Sequence, residues 1–339
     1  MSTIRLGKIT LKDPLILAPM AGVTTLAFRS ICHEFGSSYQ PTELVSARSI
    51  VYNGLERSFR YLMIDPSKEG ITCIQLFGSE VSDIEYAIKA VCEDERLSGV
   101  DIIDINMGCP VPKVVKTGAG SALIKDPEKA AKITEGAVKA AREYGKALTV
   151  KTRLGFEDED KYNGRGEDFI KALSEAGPDL IAVHGRTRSQ MYHGQADIDA
   201  LGRFGKIIKE HGIPFVANGD IKDTESARNV ISKTGADGLM IGRAATGNPW
   251  IFRELKGVFG PETDEPQAVI TDEERKEMLL RELTETALYK DEIYAVREMR
   301  PSMIAYVKGI KGAAKLKVRL CSAVTIEEIR EVLWESEQE

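Results

Sequence analysis

Residues 100–153 read VDIIDINMGCPVPKVVKTGAGSALIKDPEKAAKITEGAVKAAREYGKALTVKTR. A short apolar run lies at each end, Val100 to Asn106 and Ala147 to Arg153, each closed by a polar residue. Between them Asp126 to Tyr144 carries apolar residues at helical spacing. It opens with Asp before Pro, a capping side chain followed by the residue whose missing N–H is tolerated in a first helical turn. An apolar run without alternation is a strand buried on both faces. Two such runs joined by a helix make a parallel strand–helix–strand unit.

The unit recurs on both sides. Leu15 to Gly22 (LILAPMAG), Tyr39 to Leu44, Thr72 to Gly78 (TCIQLFG), Leu180 to His184 (LIAVH), Ile213 to Asn218 (IPFVAN) and Gly238 to Gly242 (GLMIG) bring the runs to eight, with helical spacing again in Ser79 to Glu93 and Thr224 to Ser232. Eight units in about 250 residues match a closed (β/α)8 TIM barrel, in the α/β class, whereas an open doubly wound sheet takes fewer strands. The second run is the least strand-like, because SSYQPTEL contains Pro41 and polar residues. After Phe259, GPETDEPQA is rich in Gly, Pro and acid and reads as a linker, and the remaining pattern is helical, opening on a Thr-Asp cap. The expected organisation is a barrel over 1–259, a linker over 260–270 and a smaller all-α helical bundle over 271–339.

Composition bounds the function. With 42% hydrophobic and 29% charged residues among 339, disorder, collagen and coiled-coil arrays are excluded. No eighteen consecutive residues are apolar, and MSTIRLGKITLKD alternates charge with apolar residues where a signal core would be unbroken. A cytoplasmic protein without a membrane segment is expected. Cys32, Cys73, Cys92, Cys109 and Cys321 form no C-x-x-C pair, which argues against disulfides and zinc, so no metal is expected. The net charge is -6, yet Ala295 to Leu320 holds seven bases and one acid, between segments with eight acids and four bases (Thr271 to Tyr294) and six acids and one base (Cys321 to Glu339). Arg297, Arg300, Lys308, Lys311, Lys315, Lys317 and Arg319 are therefore either a solvated helix face or a phosphate-contact strip.

Barrels of this kind build their sites at the C-terminal ends of the strands. Those ends read Ala18-Pro19-Met20-Ala21-Gly22, Gln75, Asn106-Met107-Gly108-Cys109-Pro110, Lys151 with Arg153, His184-Gly185-Arg186-Thr187-Arg188, Asn218-Gly219-Asp220 and Gly242-Arg243. The last two place glycines and main-chain amides where such barrels bind phosphate, although glycine also serves tight turns. Lys151 and His184 on neighbouring strands suit a planar, electron-rich cofactor; taken singly, each could be a satisfied core residue.

The segments APMAGVTTLAFR, INMGCPVPKVVKTGAGSAL, VKTRLGF, HGRTRSQMYHGQAD, VANGDI and GADGLMIGRAATGNPWIF run in order from 18 to 252, and AVREMR and KGIKGAAKLK follow in the tail. Together they resemble the tRNA-dihydrouridine synthase family over essentially the whole chain, and are most similar to its bacterial B-type branch. MGCP with HGRTR is the most specific pair. The resemblance implies FMN as bound cofactor, NADPH as reductant and tRNA as substrate, with no obligate protein partner. It implies that Pro19, Met20 and Ala21 line the flavin ring, that Gln75 and Lys151 meet its polar edge, and that His184 lies beside it. Asn218, Gly219, Asp220, Gly242 and Arg243 would hold its phosphate, Asn106 would lie close to flavin and base, and Arg186 and Arg188 would aid the basic strip in holding tRNA.

The reaction so implied passes hydride from flavin N5 to uracil C6 while Cys109 protonates C5. A thiol with an ordinary pKa of about 8.5 is about 97% protonated at pH 7, so Cys109 would donate without special tuning. The other four cysteines read as small buried hydrophobes. Pro110 to Leu123, with Lys113 and Lys116, is long for a barrel loop and reads as a lid over the base or as a surface loop with ordinary charges.

Two rivals are a barrel flavoenzyme acting on free pyrimidines, such as a dihydropyrimidine or dihydroorotate dehydrogenase, and a non-catalytic RNA-binding protein. The basic tail speaks against the first, the set Cys109, Lys151 and His184 against the second. The chain departs from the family in Arg300-Pro301-Ser302, where Arg-Lys-His is expected, and in Ile198, where relatives often carry tryptophan. Pro301 is expected to start or kink a helix. Which uridine is reduced is not legible in the sequence.

Overall fold

The computed structural model describes residues 2–261 and 269–334. Its strands, in chain order, are β1 (Thr3–Leu6), β2 (Ile9–Lys12), β3 (Leu15–Leu17), β4 (Gln40–Pro41), β5 (Val45–Ser46), β6 (Thr72–Phe77), β7 (Ile102–Asn106), β8 (Ala147–Arg153), β9 (Leu180–His184), β10 (Phe215–Asn218) and β11 (Gly238–Ile241). The large sheet runs β3-β11-β10-β9-β8-β7-β6-β4, parallel throughout. Its ends meet, since Ser38 N–H donates to Leu15 O at 2.7 Å and Leu17 N–H to Tyr39 O at 3.2 Å. The result is the eight-stranded barrel that the periodicity predicts.

The second barrel strand is broken in two. β4 and β5 both pair with β6, in separate registers. Pro41 has no N–H for the ladder, and pairing resumes at Thr42, whose N–H reaches Cys73 O at 2.9 Å. Elsewhere the strand period of two sorts side chains cleanly. On β9, Leu180 and Ala182 join the cluster inside the barrel while Ile181 and Val183 pack outward under the helices. β1 and β2 form an antiparallel hairpin that closes the lower end: Ile4, Leu6 and Leu11 pack on Ile16, Cys73, Ile102, Leu180, Val216 and Met240. The alternation of charged and apolar residues at the N-terminus is thus the pattern of an amphipathic plug. The helix Pro127–Glu143 forms as its sequence predicts, with Asp126 accepting from Lys129 N–H at 3.1 Å.

The tail folds into helices Asp272–Ala287, Glu292–Tyr306, Ala313–Ser322 and Ile326–Trp334 around a second apolar cluster. The linker expected over 260–270 falls mostly on 262–268, outside the described residues. Pro301 lies inside Glu292–Tyr306 and does not start it. Trp250, from the segment after β11, joins the tail cluster and meets Tyr306 edge to face at 6.3 Å. Gly247 (φ +65°) lies against the same helix: a Cβ placed there would be 2.5 Å from Tyr306 N. Arg281 reaches Glu34 on the barrel wall with bonds of 2.8 and 2.5 Å.

Candidate active site

The inward positions of β6, β7 and β8 change from apolar to polar as the strands approach their C-terminal ends. Below lie Cys73, Ile102 and Ala147. One step up lie Gln75, Asp104 and Thr149, all buried. Gln75 Nε2 donates to Asp104 Oδ2 and Thr149 Oγ1 to Asp104 Oδ1, each at 2.6 Å. Burial pushes the Asp104 carboxyl above its ordinary range, and the two hydrogen bonds offset part of that. Another step up, Asn106 Nδ2 donates to Gln75 Oε1 at 3.0 Å, and Asn106 Oδ1 accepts the N–H of Gly108 at 3.1 Å and of Cys109 at 2.8 Å. A chain of amides thus runs from a buried carboxyl to the backbone of Cys109. Asn106, expected beside a ligand, spends both its polar atoms on holding this loop. Gln75 keeps one N–H and one lone pair.

Cys109 itself is almost buried, against Val114 and Ala119 with Leu44 and Phe77 beside them. Burial pushes its thiol above the ordinary range, and neighbouring Arg153 and Lys151 oppose this only in part. The thiol is the resting form. Arg153, on the same strand as Lys151, ties this loop to the next: Nε donates to Gly108 O at 2.9 Å, and Nη1 to Thr187 O and Met191 O, each at 3.0 Å. The sequence placed Arg153 at a strand end; these carbonyl partners are visible only in the fold.

Strand register explains the neighbours at the mouth. Asn106 pairs with Lys151, and Arg153, His184 and Asn218 share one row across β8, β9 and β10. Between Lys151 and β10 the inward residue of β9 is Ala182, and over this small side chain Lys151 Nζ reaches Asn218 Oδ1 at 3.3 Å. Asn218 Nδ2 in turn donates to Met240 O at 2.7 Å. Burial and the adjacent Arg153 lower Lys151 to about 8. His184 is held well below its ordinary pKa, first by burial and then by Arg153, Lys151, Arg186 and Arg243. The mouth therefore presents a neutral imidazole and a cationic lysine at pH 7.

Around the rim, the loop after β3 carries Pro19, Met20 and Ala21. Met20 O accepts from Val23 N–H at 3.1 Å and Thr24 N–H at 3.0 Å, and Gly22 N–H donates to buried Glu43 at 2.7 Å. Met20 lies beside Gly242, its sulfur 3.9 Å from where a Cβ there would stand. Among the described residues the main-chain N–H groups of Gly219, Asp220, Gly242 and Arg243 donate to no protein acceptor. Gly219 (φ +130°) sits so close to His184 that a Cβ would stand 3.2 Å from the ring. Free amides beside the exposed Arg243 guanidinium fit an anionic group such as a phosphate.

Three expectations change. Arg186 is buried and spends its donors inside the protein: it donates to His193 O at 3.1 Å and Gly194 O at 2.6 Å and pairs with Asp220. Asp220, expected to hold phosphate, turns its carboxylate to Arg186, Arg243 and Ala196 N–H, because an anion facing an anion would be repelled; only its amide suits that task. Asp220 also has φ +53°, a conformation that Arg186 and Ala196 help hold in place. Arg300 is half-buried and turns Nη2 toward Ala323 O at 3.4 Å, so it closes the tail instead of facing solvent. Arg188 is half-buried over the Phe156 ring at 4.8 Å, while Arg297, Lys308, Lys311 and Lys315 are exposed.

Comparison with known proteins follows the same direction. A family model described as dihydrouridine synthase (Dus) matches residues 16–336. The tRNA-dihydrouridine synthase B of Pseudomonas putida is 37% identical over 320 residues, covering 94% of this chain and 90% of its own. That of Shewanella oneidensis is 39% identical over 282 residues, covering 83% and 82%. A probable tRNA-dihydrouridine synthase of Aquifex aeolicus is 31% identical over 327 residues, covering 96% and 97%. Among solved structures, histamine dehydrogenase from Rhizobium sp. 4-9 superposes with a TM-score of 0.52 at 14% identity over 85% of this chain. This chain spans 50% of that one, and the likeness is one of fold.

Proposed function

Because the chain belongs to the dihydrouridine synthase family, whose members are enzymes, we propose that it reduces uridines in tRNA to 5,6-dihydrouridine with FMN as bound cofactor and NADPH as reductant. The observation that carries this reading is the geometry of the barrel mouth: Cys109 with its backbone held by Asn106, Lys151 reaching Asn218, buried His184 in register with Arg153, and a set of amides with no protein acceptor beside Arg243. When bound, reduced flavin supplies the hydride for uracil C6.

The chain's own residues supply the rest. The amides of Gly219, Asp220, Gly242 and Arg243, with the Arg243 side chain, would hold the cofactor phosphate, and Asn218 would lie between phosphate and ring. Pro19, Met20 and Ala21 would flank the ring, with Gln75 beneath it. Lys151 would place positive charge where the ring becomes electron-rich, and His184, being neutral, would donate or accept one hydrogen bond without adding charge. Cys109 would protonate C5, its backbone fixed through Asn106 so that the thiol stays on one side of the base.

The barrel, 1–259, would carry this chemistry, and the tail, 271–339, would bind tRNA through Arg297, Lys308, Lys311 and Lys315, with Arg188 at the mouth. Flipping the target base out costs a few kcal/mol, which those contacts would offset. The setting would be the cytoplasm, where tRNA and NADPH meet.

The test is a nucleotide-resolved dihydrouridine assay on unmodified tRNA with NADPH, comparing the wild type with Cys109→Ala. Dihydrouridine formed by the wild type and nearly abolished in the variant is the expected result. A flavin bleached by NADPH with no tRNA uridine changed, on transcript or naturally modified tRNA, would overturn the proposal.

A further inference from the structure

The segment that carries Cys109 holds a charge pattern that the chemistry above leaves unused. Residues 105–125, between Asp104 and Asp126, contain Lys113, Lys116 and Lys125 and no acid. After Cys109 the chain makes one helical turn, Pro112–Val115. Val114 faces inward onto Cys109 and Ala119, while Lys113 and Lys116 are exposed. Three positions apart on a helical turn, they lie on one side of it. Among the described residues neither forms an ion pair, whereas Lys129, on the helix that follows, is matched by Glu80 at 3.0 Å. Lys125, also exposed, stands 4.5 Å over the Phe156 ring that Arg188 also covers.

The segment Gly120–Lys125, which follows this turn and ends in Lys125, is fastened to Cys109. Ser121 N–H and Oγ both donate to Cys109 O, at 3.1 and 2.9 Å, and a Cβ on Gly120 would be 2.9 Å from the same oxygen. The position is also informative. The tail docks on the helix after β3 and on Trp250 after β11, while the lysine turn follows β7, three and four strands away round the barrel. A chain laid from the tail to this turn crosses the mouth of the barrel. The next loop, with exposed Glu157, Asp158 and Glu159, bounds that track with negative charge.

We propose that Lys113, Lys116 and Lys125 form a second phosphate-contact surface, which grips the RNA backbone across the mouth from the tail and seats the Cys109 loop on the flipped base. The inference rests on tRNA being the substrate. Every extruded base brings its flanking phosphates to the mouth, and acid-free lysines beside the proton donor are the groups that meet them.

The experiment measures tRNA binding to the FMN-loaded enzyme between about 50 and 200 mM salt, for wild type, Lys113→Gln/Lys116→Gln, Lys125→Gln and the tail variant Lys308→Gln/Lys311→Gln. Each lost phosphate contact makes the salt slope shallower by about one, so the loop double variant is expected to lose about two units, as the tail variant does. KM for tRNA rises about tenfold or more, and flavin reduction by NADPH stays at the wild-type rate. Wild-type affinity and slope in the loop variants, with loss in the tail variant, would overturn the second surface alone. Failure of the wild type to bind or reduce tRNA would overturn it together with the proposed function.

Discussion

Arg186 and Asp220, 34 residues apart in sequence, are joined by two parallel hydrogen bonds, Nη1 to Oδ1 at 2.9 Å and Nη2 to Oδ2 at 2.8 Å. The pair clamps the loop after β10 onto the loop after β9, and Arg243 leans on the same carboxylate at 3.1 Å. The basic residue that looked like an RNA contact is thus a support for the amides proposed to hold phosphate.

Replacing it tests that placement. Arg186→Leu leaves Asp220 and two carbonyls without their partner, and we expect a loss of about 3 kcal/mol in urea denaturation, at the low end for a broken buried pair because Asp220 is partly in water. Bound FMN, measured by absorbance after gel filtration, should fall severalfold. The affinity of the remaining loaded enzyme for tRNA should stay unchanged; a selective loss of tRNA binding would restore Arg186 as an RNA contact.

The pH dependence of turnover separates Lys151 from Cys109. Cys109 is pushed up, so it stays protonated past the ordinary thiol range. Lys151 is lowered to about 8, so its charge is present below that pH and lost above it. The first alkaline limb of kcat should therefore fall near 8 and belong to the lysine. Lys151→Met should be slower at all pH values and lack that limb, keeping only the later one from the thiol. A limb near 8 that survives in this variant would assign it elsewhere.

Much of this was legible in the sequence because barrels repeat. The Asp126-Pro127 cap, the apolar runs and the polar residues ending them are local signals, and local signals survive without coordinates. The break between β4 and β5 was legible as Pro41 but not as a division into two registers, which needs β6 as reference. Asp104 escaped notice because the second of two aspartates inside VDIIDIN does not reveal that Gln75 and Thr149 will meet it from both neighbouring strands. Arg186 was misplaced for the same reason: its partner is distant along the chain, and charge alone does not tell a buried guanidinium from an exposed one. Glu43 and Glu282 carried no motif at all.

Glu282 gives the protein a stability that weakens as pH rises from mild acid and is lost by mild alkali. It is buried between the tail and the barrel wall, accepts from Tyr306 OH at 2.7 Å, and faces Cys32, Glu285 and Arg281 nearby. Burial, reinforced by Glu285, raises it to about 8, against an unfolded value of about 4.3. The folded state then binds one proton more than the unfolded state between these values, so the contribution is full at the acid end, declines as pH rises above about 4.3, and is gone once pH has passed 8. The urea midpoint should drop between about pH 5 and 8 and level off above, and Glu282→Gln should flatten that drop. A variant whose midpoint follows the wild-type curve would place the titration on another group.

The junction of tail and barrel should matter for where tRNA sits more than for flavin chemistry. Gly247 occupies a left-handed conformation and lies against the helix Glu292–Tyr306, where a Cβ would stand 2.5 Å from Tyr306 N and 2.7 Å from Ala305 C. Neither atom belongs to a flexible side chain, so Gly247→Ala can be accommodated only by moving one backbone away from the other. Strain at a positive φ costs about 1–2 kcal/mol, and forced overlap adds about 1–3 kcal/mol, more than the Trp250–Tyr306 contact alone can absorb. His184 on β9 and Lys151 on β8 lie two and three strands round the barrel from β11, which leads into this contact. NADPH should therefore reduce the variant's flavin at the wild-type rate. Dihydrouridine formation on tRNA should fall at least tenfold, or move to another uridine in a nucleotide-resolved assay, because the Lys308 and Lys311 face would present RNA to the mouth at a changed angle. Equal loss of both activities would mean that Gly247 supports the barrel itself and not the docking of the tail.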